Sequence, residues 1–206
     1  MKDYYKRISS QEELPSSFVT GLLCLILVVV YIFVMFLFPY RLLSQSPDAI
    51  YLMGMSAEIL KGEYYRIFSS IWLHGNVVHL ASNLLFLFIF SFRLEELSKG
   101  RTVVIVFILS GIVGNIGSIL WIVFSIPVIS VGSSGAIFGL FGAILYLLKG
   151  KSKRDSRAMV FILVIFFSIT ISQDTNVLSH FFGMVSGPFI IKVLKSISKH
   201  TGFQFF

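Results

Sequence analysis

The stretch Val131-Gly132-Ser133-Ser134-Gly135-Ala136-Ile137-Phe138-Gly139 opens an apolar run that continues to residue 148. It sets a hydroxyl between glycines at the entrance of a helix otherwise built from Ile, Leu, Phe and Ala. In hydrocarbon such a group is costly unless it has a partner or a function. The run is the fourth of six, the others covering residues 18–40, 76–92, 102–124, 158–172 and 176–193. The first exceeds the roughly 7 to 15 residue core of a signal peptide and shows no small-residue cleavage site, so it reads as a retained span. The fifth is short for a crossing that needs about 20 residues. The expected architecture is an all-α polytopic bundle of six transmembrane helices over residues 17–194, with cytoplasmic tails at 1–16 and 195–206.

Composition agrees. Of the 206 residues, 56% are hydrophobic and 13% are charged, and the mean hydropathy is +0.87. Soluble proteins carry about 25% charged residues, so the chain is read as embedded in a lipid bilayer. The net charge of +7 does not indicate nucleic-acid binding, because the basic residues fall in short segments between the apolar runs. A single cysteine, Cys24, lies inside the first run, which excludes a disulfide framework and a thiolate metal site. The connection 41–75 mixes charge with Tyr51, Tyr64, Tyr65 and Trp72, a blend suited to the membrane interface, and is expected to hold short helical pieces.

Six crossings require strict alternation of sides, and the charges test it. Segments on the side of the N-terminus (1–16, 93–101, 149–157 and 192–206) carry 3, 3, 5 and 3 Lys or Arg, fourteen of the 17 in the chain. The opposite side holds Arg41, Lys61 and Arg66. The positive-inside rule then puts both termini in the cytoplasm and the long first loop outside.

On this topology the second, fourth and sixth helices enter from the outer face, and each bears a polar residue near that entrance. These are His79 and Asn83, Ser134, and His180. At 100° per residue, His79 and Asn83 lie about 40° apart on one face. Gly135, Gly139 and Gly142 fall within a stripe about 60° wide, and His180 shares a face with Gly187, with Gly183 alongside. Small residues at such spacing let membrane helices approach backbone to backbone. The fourth and sixth helices are therefore expected to bring Ser134 within hydrogen-bond reach of His180. His74 is placed at the rim of the site, and His200 in the solvated tail.

A serine hydroxyl becomes nucleophilic when a base takes its proton, and His180 is the histidine placed to do so. Attack on an amide carbonyl creates an oxyanion, for which the Ser134 backbone N–H, His79 and the Asn83 side-chain amide are the candidate donors. Asp174 stands six residues before His180, a poor spacing for orienting the imidazole, so a Ser-His dyad is favoured, with Phe138 one turn below Ser134 placed to stack on the ring. The soluble-hydrolase elbow Gly-x-Ser-x-Gly is excluded, because Ala136 stands at its last position and no strand is expected before the turn.

The ordered motifs resemble those of the rhomboid intramembrane serine proteases. Gly132-Ser133-Ser134-Gly135 fits the family's G-x-S-G, and His79-Leu80-Ala81-Ser82-Asn83 its H-x-x-x-N. His180 with Gly183 and Gly187 fits the histidine segment of the sixth helix, and Glu63-Tyr64-Tyr65-Arg66 the first-loop signature. The resemblance implies Ser134 as nucleophile, His180 as base, and His79 and Asn83 as oxyanion donors. It also implies single-pass transmembrane proteins as substrates, cut near the outer face of what is expected to be a bacterial plasma membrane, with no cofactor and no metal. The chain departs from the pattern at Tyr65 (usually Trp), at Ser179 (often Ala) and at Phe182 (often Gly). Phe182 is expected either to face lipid or to widen the gap between the fourth and sixth helices. Two rival readings are an inactive rhomboid-like protein that binds clients, disfavoured because both dyad residues are present, and a small transporter or channel, disfavoured by the lack of internal repeats.

Overall fold

A backbone in hydrocarbon has no water to bond, so each apolar run must satisfy its own N–H and C=O groups, and a helix does this within one segment. The computed structural model describes residues 17–37, 54–120, 129–149, 153–170 and 176–206, and within them each of the six runs holds a helix. In chain order the helices are α1 (Phe18–Leu37), α2 (Ser56–Leu60), α3 (Arg66–Ser69), α4 (Val77–Leu97), α5 (Gly100–Ser118), α6 (Ser134–Leu148), α7 (Lys153–Thr170) and α8 (Val177–Thr201). The first loop contains α2, α3 and a 3₁₀ turn at Ser70–Trp72, the short pieces expected of an interfacial segment. The tail 1–16 and Asp174 lie outside the described residues.

Four helices, α1, α4, α5 and α8, are long and apolar enough to cross a membrane, while α6 and the apolar part of α7 are shorter. At 1.5 Å per residue the 15 residues of α6 reach about 22 Å, less than the roughly 30 Å hydrocarbon core. A short helix is tolerated there because it is enclosed: twelve of its residues are buried, against α8, α5, α4 and α7. By contrast α1 sits on the outside, with Phe36 81% exposed on a face suited to acyl chains. The core is a continuous cluster of Phe86, Phe90, Phe107, Phe141 and Phe166 with Leu and Ile side chains around α6.

Element boundaries differ from the expected ones in ways that bear on the site. Helix α6 starts at Ser134 rather than at 128, because Ile129–Ser130 is extended and pairs antiparallel with Gly54–Met55 of the first loop. A two-residue strand therefore does precede the Ser134 turn, contrary to the expectation of none. It braces the turn against the first loop and belongs to no larger sheet among the described residues. At the other end, α8 runs on to Thr201 through the segment read as a tail, and carries His200 on an exposed face with Nδ1 2.8 Å from the Ser196 carbonyl. Gly202, at φ +72°, then turns the chain back so that the Phe205 carbonyl accepts from Lys99 N (2.9 Å) and Thr102 Oγ1 (2.6 Å), the first donors of α5.

The start of α1 is held from across the bundle. Glu95 of α4, 8% exposed, accepts from Val19 N (3.1 Å), Thr20 N (3.0 Å) and Thr20 Oγ1 (2.7 Å). A carboxylate at this point satisfies two orphan N–H groups and meets the positive end of the helix. Removing it in Glu95→Ala is expected to cost about 1–3 kcal/mol, read as a lower unfolding temperature in detergent; a parental melting curve would show that the carboxylate does not hold α1.

Candidate active site

The turn into α6 is shaped by Gly132, whose φ of +112° is a conformation that side-chain-bearing residues rarely adopt. A Cβ at this position would also lie 2.8 Å from Cε1 and Nε2 of His79, so the glycine lets the His79 ring rest directly on the turn. The Gly132 N–H donates to the Ser70 carbonyl at 2.9 Å. Ser70 in turn is held by Asn115 of α5, whose Nδ2 donates to Ser70 Oγ and to the Ile67 carbonyl, both at 2.9 Å. The first loop thus clamps the turn through Ser70 and Asn115. Neither residue is marked by any motif, because their partners lie on separate elements.

Ser134 is the first residue of α6, so its N–H is among the donors that the helix leaves unpaired. On α8, Asn176 caps the helix by accepting from Ser179 N at 3.1 Å, and His180 follows on the first turn. His180 Nε2 lies 2.8 Å from Ser134 Oγ. The imidazole stacks on Phe138 at 4.4 Å between centroids and 15° between planes, and its Nδ1 finds no partner among the described residues.

This approach depends on backbone contact between α6 and α8. A Cβ on Gly183 would meet the Gly135 carbonyl, one on Gly187 the Gly139 carbonyl, and one on Gly142 the Met184 carbonyl. The departures from the family pattern fit around these contacts. Ser179, 5% exposed, seats its Oγ between Gly114 of α5 and Gly135 of α6, 2.9 and 2.7 Å from where a Cβ on each would stand. Phe182 is partly exposed and does not enter between α6 and α8. Its ring lies over Gly117 of α5, where a Cβ would collide with it. Gly117 is a compensating residue that no local pattern singled out.

The third wall comes from α4. Asn76 caps it by accepting from His79 N at 2.8 Å, and one turn on, the fully buried Asn83 donates through Nδ2 to the His79 carbonyl at 2.8 Å. Ser133, the residue before α6, makes no side-chain capping bond. Its Oγ lies instead between Asn83 Oδ1 at 3.4 Å and His74 Nε2 at 3.5 Å. His74 is not at the rim as expected but 3% exposed, edge-on to His79 with centroids 5.2 Å apart. Burial, reinforced by the neighbouring His79, pushes the His74 pKa down to about 3, so it is neutral at ordinary pH. Further out, Glu63 accepts from Arg66 Nε (2.6 Å) and Tyr65 Oη (3.1 Å), and the Arg66 guanidinium holds the Glu63 carboxyl below its usual range. Among the described residues no three His, Cys, Asp or Glu side chains gather as a metal site would require.

The chain is similar to known proteins over most of its membrane region. The Rhomboid domain model matches residues 61–196. The Bacillus subtilis protein YdcA, whose name assigns it provisionally to the rhomboid proteases, is 31% identical over 139 residues, 65% of this chain and 69% of YdcA. RHOMBOID-like protein 1 of Arabidopsis thaliana is 34% identical over 142 residues, 68% of this chain and 36% of the plant protein. Rhomboid protease GluP of Bacillus subtilis is 32% identical over 142 residues, 66% of this chain and 27% of GluP. The match therefore spans over two thirds of YdcA but well under half of the other two. With a family model over most of its length and multiple apolar membrane helices, the chain is an integral membrane protein that belongs to the rhomboid family, a family of intramembrane proteases.

Proposed function

We propose that this chain is a serine endopeptidase that cleaves single-pass transmembrane proteins near the outer face of a bacterial plasma membrane, through a Ser134-His180 dyad and an acyl-enzyme. The observation that carries the reading is the 2.8 Å contact between His180 Nε2 and Ser134 Oγ. In the neutral imidazole with its proton on Nδ1, Nε2 accepts the Ser134 proton as Oγ attacks the peptide carbonyl carbon. The resulting oxyanion takes hydrogen bonds from the Ser134 N–H, Asn83 Nδ2 and His79. The C–N bond then breaks as His180 returns its proton to the leaving amine, and a water molecule repeats the sequence on the acyl ester to release the second product. Phe138 holds the imidazole plane throughout by stacking. The distribution of Lys and Arg supports six crossings with both termini in the cytoplasm, which turns the starts of α4, α6 and α8 toward the outer face.

A fluorophosphonate probe tests the reading, because it reacts only with an activated serine. Labelling at Ser134 is expected in the parent, with loss of most of it in His180→Ala. A client-binding protein without activity, or a transporter, predicts no labelling in either; equal labelling of both variants would remove His180 as the base.

A further inference from the structure

We infer that Ser133 and His74 form a hydroxyl-imidazole relay that fixes the Asn83 side-chain amide with its nitrogen toward the reacting oxygen, making both of them positioning residues for the oxyanion site. The inference rests on the Ser134-His180 reading and adds residues to it that the motifs do not assign.

The argument starts from Asn83. An amide presents an acceptor on one side and two donors on the other, and an acceptor aimed at a developing negative charge would oppose the reaction. Asn83 is fully buried, so water cannot set its orientation. One Nδ2 hydrogen is used on the His79 carbonyl at 2.8 Å, which leaves the second free for an oxyanion. That bond already opposes a flipped amide, whose Oδ1 would face another carbonyl, and a donor facing Oδ1 holds the amide from its other side: the group there is Ser133 Oγ at 3.4 Å.

Ser133 stands at a capping position, where a serine hydroxyl ordinarily bonds the helix's own N–H groups. It makes no such bond, although it too is fully buried. A hydroxyl has one hydrogen, and directing it to Asn83 leaves the oxygen to accept from another donor. His74 Nε2, at 3.5 Å, occupies that place. In the neutral His74 tautomer with its proton on Nε2, which the relay requires, the chain of donation runs from His74 Nε2–H to Ser133 Oγ, from Ser133 O–H to Asn83 Oδ1, and from Asn83 Nδ2–H to the oxyanion. Hydrogen bonds in such a chain polarise one another, so engaging Oδ1 also makes the outward N–H a better donor. Both contacts are at the long end of the hydrogen-bonding range, and catalytic hydrogen bonds tighten when substrate binds.

The test is a cleavage assay on a model transmembrane substrate in detergent, with kcat and KM separated and the unfolding temperature of every variant recorded. Ser133→Ala is expected to lower kcat about 10-fold with KM within about twofold, less than the 10²- to 10³-fold typical of deleting an oxyanion donor outright. Ser133→Thr, which keeps the hydroxyl, and His74→Gln, which keeps an N–H near the Nε2 position, are expected to retain kcat within about threefold. The decisive measurement is a double-mutant cycle. Because the relay acts through Asn83, Ser133→Ala should add almost nothing to the loss already caused by Asn83→Ala. Multiplicative losses, or a Ser133→Ala variant that melts lower yet keeps the parental kcat, would overturn the relay and leave Ser133 a structural residue. If Ser133→Ala does not fold, the same cycle with His74→Leu and His74→Gln decides the question. A parent that fails to turn over at all, or a Ser134→Ala variant that still cleaves, would instead overturn the dyad.

Discussion

Ser134→Ala is expected to slow cleavage of a model transmembrane substrate by about 10⁴-fold or more, which corresponds to about 5.5 kcal/mol in the activation barrier. The loss should be this large because the hydroxyl forms the covalent bond, and the neighbouring hydroxyl, Ser133, does not share its base. Ser133 is one residue away, but its Oγ is directed to Asn83 and His74 on the opposite wall, while His180 Nε2 contacts Ser134. Binding should survive, so KM is expected to change little and the variant should retain substrate in a pull-down. The assay needs purified parent and variant at equal concentration, with unfolding temperatures compared to exclude a folding defect. A variant that cleaves within tenfold of the parent would mean that the bond is broken by some other group.

Gly183→Ala should be nearly as damaging, though it removes no reacting atom. A Cβ there would be driven against the Gly135 carbonyl, and a backbone atom of a packed helix cannot move aside as a flexible side chain can. Overpacking of this kind costs about 1–3 kcal/mol. Relief comes from pushing α8 away from α6, which carries His180 away from Ser134. A displacement of about 1 Å at reacting groups costs about 10²-fold in rate, so activity is expected to fall about that much even at temperatures where the variant is folded. Gly21→Ala in α1 is the control, since a Cβ at Gly21 meets nothing within 4 Å. There the better helix propensity of alanine should leave stability unchanged or raise it by up to about 1 kcal/mol. If Gly183→Ala melts lower but cleaves at the parental rate, the glycine contacts serve stability and do not set the dyad distance.

Much of this arrangement was legible before any coordinates because the membrane imposes local rules. A run of apolar residues must become a helix, and a basic loop stays on one side. Those rules located the helix starts to within a few residues in α1, α4, α5 and α8, and brought Ser134, His180, His79 and Asn83 to one end of the bundle. The same reasoning failed where a residue's role is set by a neighbour far along the chain. Ser133 stands in the sequence only as the variable position of G-x-S-G, and His74 reads as a rim residue, because nothing in the local pattern shows that Asn83 waits 50 positions from Ser133. Phe182 reads as facing lipid or as parting two helices, because nothing near it in sequence shows that Gly117 on a third helix receives its ring.

The sequence by itself therefore determined the helical bundle, the sidedness its charges favour, and which hydroxyl and which imidazole belong together, all through period, polarity and spacing. Only the tertiary structure decided how close they come and what surrounds them. That closeness is a matter of backbone contact between α6 and α8, of a first loop held by Asn115 and Ser70, and of a buried amide turned by its neighbours. Packing distance and hydrogen-bond direction arise between elements, and no single stretch of chain encodes them alone.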